Sequence, residues 1–156
     1  MKKVIVVRHG YYRGVDLHDI GRQQIRELGN LIKASVYGGT TQLFSSTAPR
    51  AAQSADILSE ILGVGVELHD FLWSGPDGPE GCRTNLSKTL DLCKQSSADV
   101  IILVTHLEFT ERFPKFFAEE MLNMTPGFPE QEIRKGEAWV IDCEAKTCTR
   151  LETPYS

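Results

Sequence analysis

Lys3-Val4-Ile5-Val6-Val7-Arg8-His9-Gly10 decides how this chain is read. Residues 3–7 form a β-branched run without polar alternation, the pattern of a strand covered on both faces. Strands of that kind build open α/β sheets, where ligands collect just beyond the carboxyl ends. Arg8-His9-Gly10 stands at that place. Glycine lets the backbone turn sharply. The Arg8 guanidinium offers a two-pronged donor fork that matches phosphate oxygens. The His9 imidazole is a competent nucleophile near neutral pH. Together they point to phosphoryl transfer onto a histidine, although a histidine closing a strand is, taken alone, more often structural.

A second apolar run, Val100-Ile101-Ile102-Leu103-Val104, ends on Thr105-His106 much as the first ends on Arg8-His9. If these strands are neighbours at a topological switch point, His9 and His106 face one crevice. Between the two runs, the periodicity predicts a helix over 19–36, capped by Asp19, with Gly21, Ile25, Leu28 and Ile32 on one face. A short strand at 43–45, a helix over 48–62 stopped by Gly63, and a strand at 66–68 follow. The glycine- and proline-rich stretch 74–81 reads as a loop. Thr84 is the expected cap of a helix presenting Leu86, Leu90 and Cys93. A helix over 108–123 should be delayed or kinked by Pro114, and 124–136 reads as a loop. Residues 138–143 and 147–151 read as a hairpin. This alternation predicts the α/β class: a three-layer α/β/α sandwich, its sheet mostly parallel with a C-terminal antiparallel hairpin.

The length of 156 residues fits one domain spanning 1–156. A net charge of −4 argues against broad nucleic-acid binding, yet a few arginines can still make a positive pocket. The apolar runs fall far short of the roughly 20 residues of a membrane span, and the N-terminus does not read as a signal peptide. The four cysteines, Cys82, Cys93, Cys143 and Cys148, form no C-x-x-C pair and read as reduced thiols, so a cytoplasmic protein is expected. Cys143 and Cys148 flank the hairpin turn and lie within reach of each other. No His/Cys/Asp/Glu spacing resembles a metal site, and no metal or cofactor is expected. The oligomeric state carries no signal.

Four motifs in order, Arg8-His9-Gly10, Leu17-x-x-x-Gly21-x-x-Gln24, Ser45-Ser46-Thr47-Ala48-Pro49-Arg50-Ala51-Ala52-Gln53-Ser54-Ala55 and Val104-Thr105-His106, resemble the histidine phosphatase superfamily, which includes the phosphoglycerate mutases. The short chain and the dipeptide His106-Leu107 resemble its small SixA-like branch of phosphohistidine phosphatases. The resemblance implies a phosphoglycerate mutase-like fold and a metal-independent phosphatase. In it His9 becomes phosphorylated, Arg8 and Arg50 hold the phosphate oxygens, and His106 donates to the phosphate in the transition state. The substrate would be a phosphorylated small molecule or a phosphoprotein. The residues agree, because phosphoryl transfer rests mostly on positioning and compensating positive charge.

The chain departs from the family pattern in three places. Tyr11-Tyr12-Arg13-Gly14 replaces the usual residues after the first motif; Arg13 is either a third phosphate ligand or a solvated charge, and Tyr11 and Tyr12 either wall the pocket or simply pack. His18 stands where a threonine is usual and reads as a surface residue. The glutamate expected after the third strand is missing, so Asp77 is the preferred general acid, followed by Glu80 and Asp70. A phosphoramidate needs such an acid less than an alkyl ester does, because its leaving nitrogen can already be protonated. Trp73 and Trp139 read as packing residues, and Phe109, Phe113, Phe116 and Phe117 as core. Two other readings remain open: a phosphoglycerate mutase-type enzyme, and a catalytically silent phosphate-binding module.

Overall fold

The computed structural model describes residues 1–36, 39–73 and 78–154. In chain order its elements are β1 (Lys3–Arg8), β2 (Tyr12–Arg13), β3 (Asp16–Leu17), α1 (Asp19–Ser35), β4 (Thr41–Ser45), α2 (Pro49–Leu62), β5 (Val66–Leu68), α3 (Gly78–Gln95), β6 (Val100–Thr105), α4 (Leu107–Met121), β7 (Ala138–Asp142) and β8 (Thr147–Leu151). Ten of these were legible as strands or helices; the small β2–β3 hairpin was not, because two-residue strands carry no periodicity.

Six strands form one sheet in the order β5-β4-β6-β1-β7-β8. The two most apolar strands lie side by side at its centre. β1 runs parallel to β6 with Arg8 opposite Thr105, so His9 and His106 are the next residues out of the same edge. β7 pairs with β1 antiparallel, and β7 with β8 makes the expected hairpin.

Alternate residues of each central strand feed separate cores. Val4, Val6, Ile101 and Leu103 pack with Phe109, Phe113 and Phe117 of α4 and with Leu86 and Leu90 of α3. Ile5, Val7, Ile102 and Val104 pack with Ile25, Leu28 and Ile32 of α1 and with Ala51, Ala55 and Leu58 of α2. Helices therefore cover both faces, and the architecture is the three-layer α/β/α sandwich. Burial on both sides explains why β1 and β6 read as unbroken apolar runs.

Three helix starts differ from expectation. α1 is capped by His18 rather than Asp19: His18 Nδ1 accepts from Ile20 N–H at 3.1 Å, doing the work of a capping hydroxyl. His18 is thus a structural residue. α3 begins at Gly78, so Thr84 lies within it rather than capping it. Pro79 is compatible with a first turn, where its missing N–H would have no intrahelical partner. α4 begins at Leu107 and runs through Pro114. Full burial of Phe109, Phe113 and Phe117 on one face outweighs the roughly 3 kcal/mol that an interior proline costs. Gly63 closes α2 in the left-handed conformation, as its position suggested. The four cysteines are free thiols. No described helix is long and apolar enough to cross a membrane.

Candidate active site

The end of β1 is fixed from three directions. Gly10 N–H donates to Ser54 Oγ at 3.1 Å, and Tyr11 N–H donates to Gln24 Oε1 at 2.9 Å. On the other side, Gly136 N–H is shared between the carbonyls of Arg8 and His9, each at 3.1 Å. Gly10 and Gly21 are required by contact. A Cβ on Gly10 would lie 2.6 Å from Gly21 O, and one on Gly21 would collide with Tyr11 O. The second sequence motif is therefore a docking point: Gly21 lets α1 approach the backbone after His9, and Gln24 binds it there.

His9 is 4% exposed. Its Nδ1 lies 2.9 Å from its neighbour's carbonyl, Gly10 O, which places the ring proton on Nδ1. That leaves the Nε2 lone pair outward, where Arg50 Nε approaches it at 3.4 Å. Burial, then the charges of Arg50, Arg8 and Lys135, push its pKa down to about 4 against the single opposing effect of the Gly10 hydrogen bond. His9 is neutral at pH 7.

His106 completes the pair. The two ring centroids are 5.1 Å apart at 62°. His106 Nε2 lies 2.9 Å from Ser46 Oγ. Its Nδ1 is buried without a hydrogen-bond partner among the described residues. Burial first, then His9, Arg50 and Arg8, hold its pKa down at about 3. Two histidines kept neutral beside two guanidinium groups make a pocket poised for an anion.

Of the other residues expected here, Arg50 reaches the pair from the first turn of α2, with its guanidinium carbon 4.6 Å from the Tyr12 ring centroid. Arg8 is half-buried beside them. One arm of its fork is already engaged, Nη1 donating to Ile133 O at 2.8 Å, and desolvation lowers its pKa against the raising charges of Glu132, Tyr12 and Glu137. Arg13 is exposed on β2 in register with Asp16, and makes no ion pair or ring contact with this group among the described residues. Asp77 lies outside the described residues, and the side chain of Glu80 is not described. Asp70 is exposed at the end of β5. Among the described residues, no group of three or more His, Cys, Asp or Glu could hold a metal ion.

Several site residues went unassigned in the sequence. Trp73, read as a packing residue, is 41% exposed with its ring 5.4 Å from that of His106. Thr105 Oγ1 donates to Leu72 O at 2.6 Å and draws that segment against the end of β6. Tyr12, left in the sequence as either a pocket wall or a packing residue, stands edge-on to His9 at 5.2 Å. Ser46, Ser54 and Gln24 sit inside the quoted motifs and were findable there. Lys135, with Nζ 5.5 Å from the Tyr12 ring centroid and 5.6 Å from that of Tyr11, had no local signal.

Residues 4–73 match the family model of the histidine phosphatase superfamily (branch 1). No curated protein matches the sequence significantly. Among solved structures, the fold is similar to that of the protein histidine phosphatase SixA complexed with tungstate, with a TM-score of 0.71, 17% identity and 96% of each chain covered. It is similar to a phosphoserine phosphatase from Entamoeba histolytica in complex with 3-phosphoglyceric acid, with a TM-score of 0.68, 20% identity and 99% of each chain covered. It is also similar to a phosphoglycerate mutase from Plasmodium falciparum, with a TM-score of 0.62, 16% identity, and 99% of this chain and 91% of that one covered. At these identities the likeness extends to the fold.

Proposed function

We propose that this chain is a phosphatase that works through a phosphohistidine formed on His9. The observation that carries the reading is the commitment of His9 Nδ1 to Gly10 O, which directs the Nε2 lone pair toward Arg50, whose Nε donates to it at 3.4 Å, and across from His106. In the first half-reaction the Nε2 lone pair attacks phosphorus. The bond from phosphorus to the leaving oxygen or nitrogen breaks, and the leaving group departs with that electron pair and takes up a proton. The Nδ1–H bond stays intact, so the phosphorylated ring is cationic and its hydrogen bond to Gly10 O becomes charge-assisted. In the second half-reaction a water oxygen attacks phosphorus, the P–N bond breaks, and inorganic phosphate leaves. Arg50, Arg8 and His106 compensate the charge spread over the phosphoryl oxygens. The match to the histidine phosphatase superfamily supports this assignment.

Asp77 is proposed, from its place in the sequence, as the proton donor to an alcohol leaving group. The substrate is proposed to be a phosphohistidine protein or a small phosphate ester, with phosphoramidates and aryl esters favoured over alkyl esters, which depend most on a positioned acid. Rapid-quench capture of labelled phosphate tests the reading. Wild type should retain acid-labile label, and His9→Ala should retain none and lose about a thousandfold or more in turnover. Label held equally by both proteins overturns it. Binding of phosphate without any turnover would leave the silent binding module, and interconversion of phosphoglycerates would indicate the mutase.

A further inference from the structure

We propose that Lys135 receives a carboxylate carried by the leaving group, so that the preferred substrate bears a second negative charge beside its phosphate. The proposal rests on reading His9 as the phosphate acceptor. Lys135 is held by the same bonds that hold His9. Its neighbour Gly136 donates to the carbonyls of Arg8 and His9, and on its other side Arg134 N–H donates to Oε1 of the buried Glu137 at 2.6 Å. These bonds fix the backbone from which the side chain starts, and the ammonium lies one tyrosine away from His9: 5.5 Å from the centre of the Tyr12 ring, which is itself 5.2 Å from that of His9.

Two features make this cation available to a ligand. Among the described residues, no carboxylate lies within the 4.0 Å ion-pair distance of Lys135 Nζ. Arg50 and Arg8 already supply two positive charges for the two of a phosphate dianion, so a third is in excess of what the transferred group needs. A single ammonium matches a single carboxylate, and the tyrosine faces beside it keep water from surrounding it completely. The half-exposed Trp73, its ring tilted at 43° and 5.4 Å from that of His106, offers an apolar wall for the body of the same molecule.

The test is the binding of two matched inhibitors, phenylphosphonate and 4-carboxyphenylphosphonate, to wild type, Lys135→Ala and Lys135→Glu by calorimetry. The readout is the ratio of their Kd values within each protein. In wild type the carboxylate should tighten binding about five- to tenfold, in Lys135→Ala about twofold at most, and in Lys135→Glu it should weaken it. The same ratio in all three proteins overturns the proposal, and so does a failure of both phosphonates to bind wild type. Turnover of phenyl phosphate, followed in parallel, separates the two claims. Phosphonates that discriminate at Lys135 without any phosphoenzyme would sink the phosphatase and leave the carboxylate site standing.

Discussion

The two histidines of the pocket are held in opposite ways. Around His9, the backbone is bonded by Ser54, Gln24 and Gly136, and Gly10 O fixes the tautomer. Around His106, one hydroxyl, Ser46 Oγ, meets one ring nitrogen, and the other nitrogen is buried with no partner among the described residues. On the proposed mechanism His9, as the nucleophile, has to present one lone pair along one line, and its orientation is overdetermined. His106, proposed as a donor to the arriving anion, has to change its bonding when the anion enters, and a ring with an unspent nitrogen can do so.

The largest test of this contrast is His106→Ala. It should lower kcat/KM for an aryl phosphate about a hundred- to a thousandfold while phosphoenzyme remains detectable, since the nucleophile stays oriented. Loss of all label on His9 would show that the two rings are not separable. Next comes Gly21→Ala, which helix propensity alone would make stabilising by about 1 kcal/mol. Because the new Cβ meets Tyr11 O, the expected result is a loss of about 2–4 kcal/mol in denaturant unfolding. A gain would mean the His9 side is looser than described. Ser54→Ala should cost about 1–2 kcal/mol by leaving the buried Gly10 N–H without its acceptor. Ser46→Ala should cost less in stability yet slow turnover severalfold, and the reverse ordering would erase the distinction.

The last contrast is in pH. Both rings have folded pKa values below the ordinary histidine value of 6.5, at about 4 for His9 and about 3 for His106. Between 6.5 and those values the unfolded chain binds protons that the folded one refuses, so stability falls as pH drops through that window and neither ring penalises folding above it. His9→Gln and His106→Gln should each flatten the fall between pH 6.5 and 4.5. A fall left unchanged by either substitution would indicate that the fold does not hold that ring neutral. Phosphate or tungstate, by neutralising the arginines, should raise both values, and calorimetry in two buffers near pH 5 should detect proton uptake on binding.

The contrast also marks what the sequence could say. The sheet centre was legible because double burial strips β1 and β6 of polar residues, and their shared register then brings two distant histidines together. Gly63 was legible because a left-handed turn demands a narrow class of residue, and Arg8 and Arg50, named from their motifs, both stand beside His9. The cap at His18 was hidden because imidazole is rarely read as an acceptor for a helix start. Trp73 looked like core because large apolar residues usually are, and only the Thr105–Leu72 bond draws its segment to the pocket. Lys135 stands in a loop whose position depends on pairing between strands far apart in the chain, which no local pattern encodes.

That last dependence bears on how the protein is made. Arg8 reaches its carbonyl partner, Ile133, 125 residues later in the chain, and β1 lies between β6 and β7, both synthesised long after it. His9 precedes most of its scaffold in the chain, and that scaffold is complete only once the closing hairpin has docked. On the proposed mechanism the imidazole is an unarmed nucleophile until then, and the ability to capture phosphate should switch on abruptly, with the docking of β7, rather than accumulate as the chain lengthens.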